Sequence, residues 1–264
     1  MKQVVVVIPV YKTDLKETEV IALERCKTVL KNYPIVLVAP EGLQASYMEG
    51  FETAYFDINY FTNIAGYNEL LMSKGFYERF AMYEFMLICQ LDALVLKDEL
   101  AYWCEKGYDY IGATWLDKDR NVFRRVSRNI RTWLYLNALR GKQNADAGMK
   151  MGYATHNQVG NGGFSLRRIS AMLRVVEAYP TWIRRILEAK IPEDVFFSIL
   201  INLYQPKKLQ VATYKAGIAF AFEMHPQKAY KINGNNLPFG CHDFDDWEND
   251  FWQNILKDLD TPQN

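Results

Sequence analysis

Phe85-Met86-Leu87-Ile88-Cys89-Gln90-Leu91-Asp92-Ala93 is a run of five apolar residues that ends in an amide, a leucine and an acid. A run so short and so apolar reads as a buried strand of a parallel sheet. In open parallel sheets ligands bind outside the carboxyl ends of the strands, so Asp92 stands where a bound ligand would meet it. One carboxylate with neighbouring oxygen donors suits a hard divalent cation that also grips a diphosphate. A simple cap on the turn after the strand explains Asp92 equally well.

Working outward, Val4 to Val10 is a second buried run, followed by a polar turn. Asp14 to Glu17 then forms a D-x-x-E start that can cap a helix reaching about Asn32. Apolar runs recur at Ile35 to Ala39 and, more briefly, at Ala54 to Phe56, and one long helix is expected from about Asn63 to Arg79. This alternation implies a mostly parallel sheet with helices on both faces, in a single α/β domain. Downstream, Ile169, Met172, Leu173 and Val176 repeat at helical spacing, as do Phe196, Leu200 and Leu203.

Bulk properties agree. The chain has 264 residues, 50% of them apolar and 14% aromatic, enough for one sizeable core. With 31 basic against 31 acidic residues there is no global field to gather nucleic acid, so an anionic ligand must be held locally. The first apolar run is too short for a signal peptide or a membrane span, and the expected location is cytoplasmic. Four cysteines lie far apart without a CxxC pair and read as reduced, buried thiols.

From 118 to 157 the character changes. Arg124, Arg125, Arg128, Arg131, Arg140 and Lys142 interleave with Ile130, Trp133, Leu134, Leu136 and Leu139. A basic amphipathic helix followed by a glycine-containing polar loop is expected. It fits a solvated face or an acceptor-side lid as well as a peripheral contact, through 124–142, with the inner face of an anionic membrane.

Three more stretches carry candidate chemistry. In Gly160-Asn161-Gly162-Gly163-Phe164, three glycines in four residues let backbone pass close to a ligand. The spacing is not that of a dinucleotide fingerprint, and an ordinary turn is the bland alternative. Pro192-Glu193-Asp194 matches helix-start chemistry, and carboxylates facing a crevice there can also present a general base to a hydroxyl. Pro238-Phe239-Gly240-Cys241-His242-Asp243 puts one of only three histidines in a glycine-containing loop, where a ligand role competes with a structural one. His156 and His225 are assigned no role.

In order, QLDALV (90–95), GNGGFSLR (160–167), PEDVFF (192–197) and PFGCHDF (238–244) resemble the motif set of the DUF5672 type of glycosyltransferase, a branch of the GT-A superfamily. Residues 67–80 and 108–115 resemble it too, so the likeness spans most of 4–244. It implies a GT-A domain over 1–264, with a nucleotide-sugar half (1–117), an inserted basic helix and loop (118–157) and an acceptor half (158–264). By this resemblance Asp92 matches the last acid of the D-x-D motif and His242 a C-terminal histidine, together ligating Mn²⁺ or Mg²⁺. Gln90 stands where the first acid of the motif should be, which weakens the expectation of metal dependence. Asp194 matches the base of inverting transferases, with Glu193 its neighbour or an acceptor ligand. Asn161, Gly162 and Gly163 match the loop where donor sugar and acceptor meet the backbone, and Trp115 an aromatic at the sugar site. Pro9 and Tyr11 match the start of the nucleotide loop, with Tyr11 stacking on the base, and Tyr67 and Asn68 are further donor contacts.

The implied activity is inverting transfer, as a hexosyltransferase of polysaccharide biosynthesis, from a nucleotide-sugar donor to a saccharide or lipid-linked acceptor, with no nucleic-acid partner. Two other classes compete. A sugar nucleotidyltransferase carries a glycine-rich basic loop after its first strand, where this chain reads Pro9-Val10-Tyr11-Lys12-Thr13-Asp14. A non-catalytic carbohydrate-binding or assembly protein of the same fold would fit the loss of the acid at Gln90, although Asp194 and His242 remain.

Overall fold

The computed structural model describes residues 2–116, 127, 130, 134, 155, 157–204, 208–245 and 249–260. The basic helix and loop expected over 118–157 therefore lie almost wholly outside the described residues.

Nine strands are described: β1 (Lys2–Pro9), β2 (Ile35–Pro40), β3 (Glu52–Phe56), β4 (Tyr83–Cys89), β5 (Ala93–Val95), β6 (Tyr110–Gly112), β7 (Phe164–Arg168), β8 (Ala221–Phe222) and β9 (Gly240–His242). Six form a central sheet in the order β3-β2-β1-β4-β7-β6, and β5, β9 and β8 form a small second sheet. β1 pairs in parallel with both β2 and β4, β2 with β3, while β7 runs antiparallel to β4 and β6. The sheet is mostly parallel, as expected, with β7, next to the edge strand β6, the one strand running the other way.

The apolar runs are continuous because the central strands are buried on both faces. Val5, Val7, Met86 and Ile88 pack into one core layer, and Val4, Val6, Ile8, Phe85 and Leu87 into the other. Each alternate side chain thus finds its own layer, which fixes the register. From β1 the chain goes to β2 on one side and later to β4 on the other. The carboxyl ends of β1 and β4 consequently flank a switch in strand order, where such sheets open a crevice.

Two helical expectations need correction. The first helix is Glu17–Val29, shorter than 14–32, and its start is closed by Glu19 Oε2 accepting the Lys16 N–H at 2.9 Å rather than by Asp14. The single helix expected from Asn63 to Arg79 is two, Ile64–Leu71 and Lys74–Arg79, because Ser73 takes an extended conformation and its hydroxyl caps Phe76 N–H. Among the described residues, no helix is long and apolar enough to cross a membrane. All four cysteines are free and buried.

Candidate active site

A cavity of about 430 Å³ opens beyond the ends of β1 and β4. Pro9, Tyr11, Tyr67, Gln90 and Asp92, five of the residues singled out in the sequence, lie on its wall. Tyr11 is 58% exposed, with the Lys12 ammonium over one face of its ring, and the buried Tyr67 hydroxyl lies next to the Gln90 amide.

β5 follows Asp92 directly and pairs with β9, which sets Ala93 opposite His242. That pairing carries the histidine to the end of β4. His242 Nε2 lies 3.2 Å from Asp92 Oδ1 and 3.3 Å from Gln90 Oε1, and Nδ1 lies 3.4 Å from Glu223 Oε1. Burial alone would lower the imidazole's pKa, but Asp92 and Glu223 on its two nitrogens outweigh it and push the value up to about 10. Burial would raise the Asp92 carboxyl, yet His242 beside it holds it below its ordinary value.

The donor set fits a divalent cation. Ligand atoms about 2.1 Å from an octahedral ion stand roughly 3 Å from one another, close to the separations around His242 Nε2. Asp92 Oδ1 is a buried oxygen whose 3.2 Å ion-pair contact with His242 Nε2 lacks hydrogen-bond geometry, and Glu223 on the far nitrogen is placed as the carboxylate that would orient a metal-binding histidine. Among the described residues no group of three or more His, Cys, Asp or Glu side chains is placed to hold a metal ion. One carboxylate, one imidazole and an adjacent amide are too few donors for a complete shell, so substrate phosphate oxygens would have to complete it.

The glycine-rich stretch crosses the same site. Gln90 N–H donates to Gly163 C=O at 2.8 Å, and Gly162 N–H donates to Asp194 Oδ2 at 3.0 Å. A β-carbon at Gly163 would collide with the His242 imidazole and the Gln90 amide, and one at Gly162 would press on Glu193. Close approach of side chains therefore dictates glycine at both positions. Asn161 takes a left-handed backbone (φ 68°), and its Oδ1 caps Gly163 N–H and Phe164 N–H at 2.8 and 3.0 Å. Gly163→Ala is expected to cost about 1–3 kcal/mol and to displace the imidazole, seen as shifted His242 ring signals by NMR; unmoved signals would show that the loop has slack.

Asp194 lies in the first turn of the helical run 193–204, which includes a π-helical turn over Phe196–Leu200. Burial, and then the neighbouring Glu193 charge, push its carboxyl up to about 7. Glu193 points elsewhere. It is 3% exposed and accepts two 2.8 Å hydrogen bonds from the fully buried Arg167. The Arg167 guanidinium also contacts Ser165 and the Tyr77 hydroxyl and lies over the rings of Tyr110 and Phe197. Glu193 stands next to Asp194, with its carboxylate held by Arg167 and one oxygen against Gly162.

Other candidates are likewise placed by local structure. Asn68 Oδ1 accepts the Glu193 N–H at 3.0 Å, tying two helices together. Trp115 packs its ring on Gly160, where a β-carbon would strike it. Asp92, Gln90, His242, Gly162, Gly163 and Asp194 are brought together; Pro9, Tyr11 and Tyr67 border them. Glu223 and the partners of Arg167 were not foreseen. The signal for Glu223 is the one that found Asp92, an acid just past a short apolar strand, Ala221–Phe222.

The DUF5672 family, described as a protein of unknown function, matches residues 50–242. No curated protein matches the chain. Among solved structures, the galactosyltransferase LgtC, in complex with donor and acceptor sugar analogs, is similar over 98% of both chains, with a TM-score of 0.54 and 14% identity. Mouse xyloside xylosyltransferase 1, in its apo form, is similar over 90% of this chain and 96% of that one, with a TM-score of 0.50 and 10% identity. The shared fold is that of the GT-A glycosyltransferases.

Proposed function

Because the chain belongs to the DUF5672 family and has the GT-A fold, we propose that it is a glycosyltransferase moving a hexosyl group from a nucleotide-diphosphate sugar to a saccharide or lipid-linked saccharide acceptor, with inversion. One observation carries this reading: Asp92, His242 and Asp194, from three distant stretches, meet around Gly162 and Gly163 beside the cavity at the ends of β1 and β4. The galactosyl- and xylosyltransferase neighbours agree with it in kind.

In this mechanism the base moiety stacks on Tyr11, and the diphosphate lies toward Asp92. Asp92 and His242 would hold Mn²⁺ or Mg²⁺, which when bound would supply positive charge to offset that of the departing diphosphate. Glu223 keeps His242 Nε2 turned toward Asp92. Asp194, positioned by the Gly162 N–H, accepts the proton of the acceptor hydroxyl. The acceptor oxygen then bonds to the anomeric carbon as the bond from that carbon to the phosphate oxygen breaks, and the electron pair leaves with the nucleoside diphosphate. A base with a value near 7 is well matched to this task at neutral pH.

A thermal-shift screen of nucleotide sugars with Mn²⁺ or Mg²⁺ tests the reading, since a ligand bound only by the native state raises the melting temperature. At least one donor should raise it by several degrees in a metal-dependent manner, and Asp92→Ala and His242→Ala should each lose that rise. Equal shifts in both variants would leave the metal site without support, and no shift with any donor would count against the transferase itself.

A further inference from the structure

Lys12 lies three residues beyond the end of β1, on the cavity wall. Among the described residues that line the cavity it is the one basic side chain, facing the acids Glu19 and Asp92. Its ammonium is 2.6 Å from Glu19 Oε1 and 5.3 Å from the centre of the Tyr11 ring, and its side chain remains 34% exposed. Glu19 is more enclosed, at 13%, and its second oxygen is fixed by the Lys16 N–H. The acid is therefore anchored by its helix, and the lysine is the mobile partner.

A diphosphate entering this cavity would otherwise meet two carboxylates on the protein wall. A lysine is a compact charge on a flexible four-carbon stem, able to exchange one oxyanion for another. We propose that Lys12 is a phosphate-binding residue that Glu19 holds in the free protein and yields to the diphosphate of the incoming nucleotide. This rests on the donor-pocket reading above and adds to it a specific cation and its competitor. Because Glu19 is both latch and rival anion, it lowers affinity for any phosphate ligand, so the pair makes binding weaker than the lysine alone would allow.

Calorimetry with Mn²⁺, using UDP, GDP and inorganic pyrophosphate as probes, tests the exchange in the full chain. Lys12→Met should weaken the bound nucleoside diphosphate and pyrophosphate alike, by about tenfold or more, as expected for a lost charge-assisted contact. Lys12→Arg should retain affinity within about threefold, and Glu19→Gln should tighten binding several-fold. Melting temperatures of the free variants separate loss of the fold from loss of the contact. Unchanged binding by Lys12→Met would overturn the assignment, as would an effect on nucleotides but none on pyrophosphate, which puts the lysine at the nucleoside. Failure of the wild type to bind any probe would instead overturn the donor-pocket reading, and this inference with it.

Discussion

Asp194→Asn is expected to cut sugar transfer by about two to four orders of magnitude, the range for removing a general base, while nucleotide binding stays within about twofold. Asparagine keeps the Oδ1 that accepts the Val195 N–H at 2.7 Å and has nearly the same shape, so the helix start survives. What it loses is the ability to take a proton and the oxygen that accepts the Gly162 N–H at 3.0 Å. The same residue sets the pH dependence. Burial first, and Glu193 second, raise the carboxyl to about 7, so the competent carboxylate is scarce in acid. Transfer should rise with pH through about 7 and level off above it.

Linkage has a definite sign here. A carboxyl raised in the folded state binds its proton more tightly there than in the unfolded chain, where its value is about 3.9. The fold therefore loses stability as pH rises from about 4 to 7, by an amount on the order of a few kcal/mol. Asp194→Asn escapes that loss, which offsets the lost Gly162 contact, and should melt near the wild-type temperature at pH 8. Undiminished turnover by the variant would remove Asp194 from the chemistry; a melting point far below wild type would show that the carboxylate holds the fold.

Arg167→Met is expected to destabilise the protein by about 3–5 kcal/mol, because it leaves the Glu193 carboxylate buried without its partner. Arg167 is fully buried, and both of its terminal nitrogens reach Glu193 at 2.8 Å. Pairing the change with Glu193→Gln should recover much of the loss, since the uncompensated charge is what costs most. Denaturant titration of the single and double variants gives the comparison. A single variant within about 1 kcal/mol of wild type would contradict the account of this pair. Because Glu193 precedes Asp194 and its N–H is held by Asn68, the pair also fixes where the base stands.

Much of this architecture was legible from local pattern. Val4 to Pro9, Ile35 to Ala39 and Phe85 to Cys89 are buried on both faces, so each leaves an unbroken apolar signature, and Asp92 follows one such run directly. The break between Leu71 and Lys74 was hidden because Leu70, Leu71 and Met72 are all buried and continue the apolar signal; Ser73 was the overlooked mark. Glu193 looked like half of an acidic pair at a helix start because its true partner, Arg167, is 26 residues away on another element. The contacts that Asn68 and Glu223 make, with Glu193 and His242, were obscure for the same reason, because tertiary packing sets them. Spacing reports which side of a strand or helix a residue occupies, and it is silent on which distant residue waits there.

Crystals soaked with Mn²⁺ and a nucleoside diphosphate, with diffraction recorded at the manganese edge, test the central convergence most directly. The account predicts one anomalous peak within about 2.3 Å of Asp92 and of His242 Nε2, with the diphosphate completing the coordination on the cavity side. A peak elsewhere on the molecule, or nucleotide bound away from the ends of β1 and β4, would contradict it.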